Sequence, residues 1–297
     1  MEIRDLQYVV ELARCGSFTR AAEELHITQP TLSKMIKKLE EELGVQLFTR
    51  AGKRVELTDA GNVLVEQSQN ILDSFRSLTS ELDDLTNFNK GSIRIGLPPM
   101  VGANFFPKIM SRFREKYPGL VIDLVEAGSK KVEAEVAGGH LDMGVVLLPI
   151  DADVFDSFTI VKEKLRLIVH PSHPFAAREE VALSELSRDS FILFRQEFAL
   201  HDKIITECRR AGFDPLILYE SSQWDFIVEM VAADLGVALL PEVICKTLRP
   251  DRVRVLSLVE PEILWHLAMV WRKKSYLSFA AREWIRFTQK VFEQTNH

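Results

Sequence analysis

Cysteine is scarce. The 297-residue chain holds three, Cys15, Cys208 and Cys245, far apart and without a Cys-x-x-Cys pair. That spacing argues against a disulfide framework and a structural zinc site, and for a reducing compartment. Long apolar runs are also missing. No window approaches the roughly 20 apolar residues of a membrane span. The opening "MEIRDLQYVV" carries acidic residues and no long apolar run, so no signal peptide is expected there. A soluble cytoplasmic protein without membrane contact is expected. Nucleotide loops and nucleophile elbows are absent: there is no P-loop, GxGxxG or GxSxG. His170 and His173 in "HPSHP" have no third ligand nearby. Asp151, Asp153 and Asp156 in "DADVFD" lack the glycine and distal glutamate of a calcium loop and read as a solvated loop. No metal, cofactor or catalytic residue is expected, and an enzyme is the weakest function class.

What is present is ordinary globular material, 46% hydrophobic and 27% charged. The length suits two or three domains. The net charge of -6 is unevenly spread. From His26 to Arg54 six Lys or Arg face three Glu, a local +3, so the remainder carries -9.

Residues 5 to 15 place Leu6, Val9, Val10 and Ala13 at helical spacing, with Asp5 as N-cap and Gly16 as stop. Ser17 caps a second helix, "FTRAAEEL". Thr28 caps a third, where Pro30 fits because the first turn needs no donor from its nitrogen. Leu32, Ile36, Leu39 and Leu43 form its packing stripe and Gly44 ends it. "VQLFTRAGKRVELT" reads as a hairpin turning at Ala51-Gly52. Thr58 caps a long helix through about Phe88. Along it Leu64, Ile71, Phe75, Leu78, Leu82 and Leu85 recur at steps of 7, 4, 3, 4 and 3. That heptad-like seam predicts pairing of two chains; the alternative is a single amphipathic helix lying on its own domain. "NFNKGS" (87 to 92) is a linker. Beyond it strands and helices alternate: "IRIGL", a helix near 104 to 116, "VIDLVE", a helix near 130 to 138, "DMGVVLL", "LRLIV", "FILF", a helix near 201 to 210, "LILY", a helix near 224 to 235, "VALLP", "LAMVW" and a last helix near 277 to 293. This predicts α/β units with largely parallel sheet, in two small lobes.

Three short helices followed by a basic hairpin make a winged helix-turn-helix. At about 100° per residue, the leucine stripe of the third helix leaves Pro30, Lys34, Lys37 and Lys38 roughly opposite, with Ser33 flanking. Thr28, Gln29 and Thr31 stand at its N-terminal end, where side chains and amides meet phosphates and base edges. Gln pairs bidentately with adenine and Lys donates to guanine. Arg50, Lys53 and Arg54 on the hairpin would neutralise phosphates. Ser17 joins this DNA-facing set. A lysine cluster on an amphipathic helix is by itself more often a solvated face. The preceding helix pair, the Thr-Gln-Pro entry and the hairpin tip the balance to double-stranded DNA.

"FTRAAEELHITQPTLSKMIKKLEEELGVQLFTR", followed by "VELTDAG", resembles the N-terminal domain of LysR-type transcriptional regulators. The downstream layout is similar as well, so the resemblance covers the whole chain. It implies an α plus α/β chain: a winged helix-turn-helix over 1–58, a linker and dimerisation helix with a hinge over 59–90, and an effector domain over 91–297 similar to periplasmic binding proteins. Lobe I would hold about 91–162 and 267–297, lobe II about 163–266, with crossings near Val161 to Leu165 and Leu264 to Leu267. A small-molecule effector sits between the lobes in that family. "IRIGLPPMVGANFFP", "SSQWDFIVEM" and "WHLAMVWRKKSYLSFAAREW" further resemble the Cid-type regulators, linked to holin-like genes and to acetate and pyruvate overflow metabolism. The resemblance implies a homodimer, extending to a homotetramer, on a pseudo-palindromic operator, with RNA polymerase as a further partner.

Ligands of α/β folds sit beyond the carboxyl ends of strands. The stretches so placed are "PPMVG" (98 to 102), "EAGSK" (126 to 130), "FRQEFALH" (194 to 201) and "SSQW" (221 to 224). The effector-binding candidates are Pro99, Met100, Val101, Gly128, Ser129, Phe194, Arg195, His201, Gln223 and Trp224. Amides near Met100 and Val101, helped by the helix dipole, would hold a carboxylate. Many relatives carry Ser or Thr where Met100 stands; its loss of a hydroxyl favours an apolar or very small ligand, though Met also serves as packing. Arg195 has the alternative of a surface ion pair and Trp224 that of a core anchor. An architectural DNA-binding protein is the second class, but it leaves more than 200 residues of α/β without a role.

Overall fold

A computed structural model describes residues 1–51, 54–86 and 91–295. It divides into two compact units, Met1–Phe88 and Asn89–His297.

The first unit runs α1 (Ile3–Cys15), α2 (Phe18–Glu24), α3 (Gln29–Leu43), β1 (Phe48–Ala51), β2 (Arg54–Leu57) and α4 (Asp59–Thr86). The cap of α1 is Glu2, not Asp5. Asp5 lies in the first turn and its carboxylate accepts the Glu2 N–H at 2.7 Å, the reciprocal half of a capping box. Gly16 adopts φ 60° and ends the helix. Ser17 occupies the cap position of α2 without a side-chain cap bond. Thr28 caps α3, its hydroxyl 2.8 Å from that of Thr31, and Gly44 (φ 68°) closes it.

Leu32, Ile36 and Leu39 are buried against Val9, Leu12, Ala21, Ala22 and Leu47. Leu43, expected to complete the stripe, is 39% exposed. It is the last residue of α3, directly before Gly44, and lies outside that buried cluster. β1 and β2 pair antiparallel, Phe48 with Leu57 through Ala51 with Arg54. Ala51 is therefore strand, not turn. The expected turn residue Gly52 lies outside the described residues, as do Lys53 and the side chains of Arg50 and Arg54.

The hydroxyl of Thr58 accepts the Gly61 N–H at 3.0 Å and donates to the Gln46 carbonyl at 2.7 Å, which fixes the start of α4. Leu72 of α4 buries itself on Leu6 and Val10 of α1. Leu64 packs on the winged core, so it stands apart from the rest of the seam. Ile71, Phe75, Leu78 and Leu82 are exposed; the side chain of Leu85 is outside the described set.

The second unit continues with β3 (Gly91–Leu97), α5 (Pro99–Lys116), β4 (Leu120–Glu126), α6 (Ser129–Ala137), β5 (Met143–Leu147), β6 (Phe155–Val169), β7 (Glu180–Ala182), β8 (Ser190–Phe194), α7 (Ala199–Arg210), β9 (Leu216–Ser221), α8 (Trp224–Ala232), β10 (Ala238–Pro241), α9 (Glu242–Cys245), β11 (Arg254–Val259), β12 (Leu264–Arg272) and α10 (Phe279–Thr295). The sheet is mixed rather than largely parallel. β3 pairs parallel with β4 and β5, β7 with β11, and β8 with β9. β12 is antiparallel to β5 and β6, and β10 and β11 are antiparallel to β6.

The cause is two long strands that belong to both lobes. β6 starts at Phe155, ten residues before the expected "LRLIV". Its first part pairs with β12, and its last part, from Leu165, with β10 and β11. β12 runs back beside it, so chain entry and return are opposed. Asp156, Lys162, Glu163 and Lys164 hid the first part of β6 from the apolar pattern. α5 begins at Pro99, not near 104, so β3 ends directly on a helix N-terminus.

Candidate functional site

α3 presents Thr28, Gln29, Pro30, Thr31, Lys34, Lys37 and Lys38 to solvent, with Ser33 half-buried. The face opposite them is the core stripe, so the two roles of the helix do not compete. Lys37 is only loosely engaged, 3.7 Å from Glu41 one turn on. Ser17 is half-buried at the α2 entry. The hairpin is tied to this helix: the Glu40 carboxylate accepts the N–H groups of both Leu47 and Phe48. On its other side Val55 N–H donates to the Gly16 carbonyl at 3.1 Å. The three elements that could meet a duplex therefore form one block.

The second site is a cleft in the α/β unit. Its walls are Pro98, Met100 and Val101 at the start of α5, Ser129 at the start of α6, and Leu147 ending β5. Phe194, Phe198 and Leu200 between β8 and α7, Ser222 after β9, and Trp265 and Leu267 on β12 complete them. Parallel strands deliver their carboxyl ends to it from both lobes. The cavity volume is about 30 Å³, within a concavity of about 420 Å³ that includes space open to solvent. Among the described residues no Lys, Arg, His or Cys lines it.

Of the effector-binding candidates, Met100, Val101, Ser129 and Phe194 line this cleft. Pro99 and Gly128 flank the walls without lining them. Arg195, Gln223, Trp224 and His201 do not line the cleft. Arg195 and Gln223 are exposed, and Trp224 packs against the core. His201 is buried, its Nδ1 2.8 Å from Asp202. The carboxylate of Glu220 lies 2.9 Å from its Nε2, which has no hydrogen-bond partner of good geometry. Val101 cannot offer its amide, because it is bonded to the Pro98 carbonyl at 2.9 Å. Met100, second in the helix after a proline, retains the first-turn N–H. The Ser129 hydroxyl accepts the Ala199 N–H at 2.9 Å and keeps its own proton to donate.

The wall residues not anticipated are Pro98, Leu147, Phe198, Leu200, Ser222, Trp265 and Leu267. Most sit inside or beside the stretches singled out from the sequence. Trp265 and Leu267 lie on the return crossing.

The remaining chemistry is structural. Burial pushes the thiols of Cys208 and Cys245 up to about 12. Burial and a hydrogen bond to Glu11 push Cys15 up to about 11. His173 is held by Asp189 at 3.0 Å and accepts the Phe175 N–H, while His170 faces Ser172. Among the described residues no group of three or more His, Cys, Asp or Glu could hold a metal. No helix among them is long and apolar enough to cross a membrane.

A winged helix-turn-helix carried by a long helix, followed in the chain by an α/β unit with a cleft between lobes, defines a DNA-binding transcription regulator with an effector-binding domain. The model of bacterial regulatory helix-turn-helix proteins of the lysR family matches residues 3–62, and that of the LysR substrate binding domain matches 87–293. The chain belongs to the LysR family of DNA-binding transcriptional regulators, with an effector domain similar to periplasmic binding proteins.

It is 57% identical over 289 residues to the HTH-type transcriptional regulator YwbI of Bacillus subtilis (strain 168), covering 97% of this chain and 96% of the relative. It is 34% identical over 278 residues to a hydrogen peroxide-inducible genes activator of Dickeya chrysanthemi, covering 93% and 91%. A cysteine-to-aspartate variant of full-length OxyR from Pseudomonas aeruginosa superposes with a TM-score of 0.67 at 27% identity, covering 99% of this chain and 95% of that one.

Proposed function

We propose that the chain is a cytoplasmic regulator whose action on its promoter is set by a small carboxylate, in the size class of acetate or pyruvate, bound between the lobes. The observation that carries this reading is the cleft itself. It is small and apolar, and no cation among the described residues lines it. A multiply charged ligand would lack a counter-charge there, and a bulky one would lack room. A single carboxylate can take the Met100 N–H at the helix N-terminus and the Ser129 hydroxyl proton, with its short carbon body on Leu147, Phe198 and Trp265. The stretches similar to Cid-type regulators support the same ligand class.

Thr28, Gln29, Pro30, Thr31, Ser33, Lys34 and Lys37 read the operator, with Ser17, Arg50, Lys53 and Arg54 on phosphates. Ile71, Phe75, Leu78, Leu82 and Leu85 pair two chains, and lobe contacts extend the dimer to a tetramer. Two winged domains then meet a pseudo-palindrome, and ligand-dependent rearrangement is passed on to RNA polymerase. The protein acts by differential binding rather than turnover.

A redox signal is the second reading, favoured by the peroxide-responsive relatives. Against it stand Cys208 and Cys245, buried with raised thiols, and a cleft without cysteine among the described residues. Calorimetric titration of the full chain with acetate, pyruvate and larger aromatic acids decides. Binding of the small acids is expected. Binding of a bulky aromatic acid alone would overturn the ligand class.

A further inference from the structure

Beside the cleft a second set of contacts joins the lobes. Lys130, next to the wall residue Ser129, reaches from the first turn of α6 to the opposite lobe. Its ammonium lies 2.5 Å from the Asp202 carboxylate on α7 and 2.7 Å from the Gln196 carbonyl. Its own N–H reaches the Glu197 carbonyl at 3.4 Å, and Ala199 N–H donates to Ser129. The backbones are in close approach: a Cβ on Gly128 would stand 2.4 Å from the Glu197 oxygen. Only glycine permits that distance.

Asp202 is fixed from behind. One oxygen takes Lys130 and the other faces Nδ1 of buried His201, which Glu220 flanks in turn. The Lys130 ammonium, then His201, hold the Asp202 carboxyl below the usual range.

A lone exposed ion pair contributes little to stability. Here the ammonium makes two bonds at once to a pre-positioned carboxylate and a carbonyl, and both partners lie on the segment that carries Phe198 and Leu200. Small energies suffice, because the quantity biased is a lobe equilibrium and not global folding.

We infer that Lys130, Gln196 and Asp202 form a clasp that holds the two lobes closed over the cleft before any ligand arrives. The inference rests on the reading of the cleft as the effector site only for its consequence: effector binding works on an equilibrium that the clasp has set. The clasp itself is tested without ligand.

Trp265 reports the cleft, since it lines the wall and is 2% exposed. Acrylamide quenching of tryptophan fluorescence is compared in the full-length native protein, Lys130→Met, Asp202→Asn and Lys130→Arg, each measured both with Trp265 and with Trp265→Phe. Melting curves verify that each variant is folded. Removing the charge should raise the open-to-closed ratio about fivefold, so quenching rises in Lys130→Met and Asp202→Asn. Lys130→Arg should remain near the native value. Quenching of Lys130→Met equal to native overturns the clasp. So does extra quenching that persists with Trp265→Phe, or that Lys130→Arg shows equally. Failure of acetate and pyruvate to bind would instead overturn the ligand assignment and leave the quenching result standing.

Discussion

The Glu40 carboxylate accepts the backbone N–H of Leu47 at 2.8 Å, and thereby ties α3 to the first strand of the hairpin. The same oxygen takes Phe48 N–H at 3.2 Å, so one side chain serves two consecutive backbone donors. Glu40→Ala removes the acceptor from two part-buried donors and should cost about 1 to 3 kcal/mol. Glu40→Gln keeps the acceptor and should cost less. Thermal unfolding reads the stability. If the hairpin contacts phosphates, gel shifts should show a loss of DNA affinity that is uniform across sequences. Native-like melting of Glu40→Ala would show that the hairpin is positioned without it.

Lys34 and Gln29 are exposed on the face away from the core stripe, so truncating either should leave folding intact. If each contacts a base edge, Lys34→Ala or Gln29→Ala should cost about 1 to 3 kcal/mol of operator binding and relax the sequence preference. Arg54→Ala should weaken all sequences alike and flatten the salt slope by about one unit. Titrations at several salt concentrations separate the two patterns. Unchanged affinity in both helix variants would remove α3 from the groove.

Leu78 and Leu82 are each 53% exposed on α4. If α4 pairs two chains through this face, Leu78→Asp combined with Leu82→Asp should place carboxylates on the pairing surface and dissociate the dimer. Operator affinity should fall in parallel, since two half-sites are no longer held together. Sedimentation of the full chain at several concentrations is the measurement. A double variant that sediments like the native protein would move the dimer interface elsewhere.

The buried thiols give a chemical test. With Cys208 and Cys245 pushed up to about 12, thiolate at neutral pH is negligible. Both should resist a thiol reagent until the protein unfolds, and hydrogen peroxide should leave operator binding unchanged. Rapid loss of either thiol in the folded protein, with a matching change in DNA binding, would restore the redox reading.

The winged unit is legible in the sequence because its signals are local. Thr28, Pro30 and Gly44 punctuate one helix, and Leu32, Ile36 and Leu39 fix its inner face. Leu43 departs from the stripe because periodicity does not say how far the neighbouring surface extends. In the α/β unit the parallel segments announce themselves through apolar runs. β6 does not, because its first part carries charged residues among buried Phe155, Ile160 and Val161. The cleft shows a different limit. The four stretches around it follow from the rule that strand ends make sites, but of the polar residues within them only the serines Ser129 and Ser222 line the cleft, while Arg195, His201 and Gln223 do not. His201 serves Asp202, while apolar neighbours Phe198 and Leu200 form the wall. Chemistry-bearing residue types attract attention in a sequence, and only packing shows which of them face inward.

The proposed ligand site can be tested at one side chain, Ser129. It is 7% exposed, lines the cleft and accepts the Ala199 N–H. Ser129→Phe would fill a cavity of about 30 Å³ and should abolish effector response, while operator binding persists through the separate winged unit. Ser129→Ala is milder. It leaves Ala199 N–H without its acceptor and removes the proton offered to a carboxylate, so small-acid affinity should fall about tenfold, the value of one hydrogen bond to a charged group. Native affinity is itself bounded. Even efficient ligands gain at most about 1.5 kcal/mol per heavy atom, and an acetate-sized anion with no cation in the wall should bind in the millimolar range. That range suits a sensor of an abundant metabolite. Calorimetry on the native protein and both variants checks the series. Undiminished small-acid binding in Ser129→Phe would place the ligand outside this cleft.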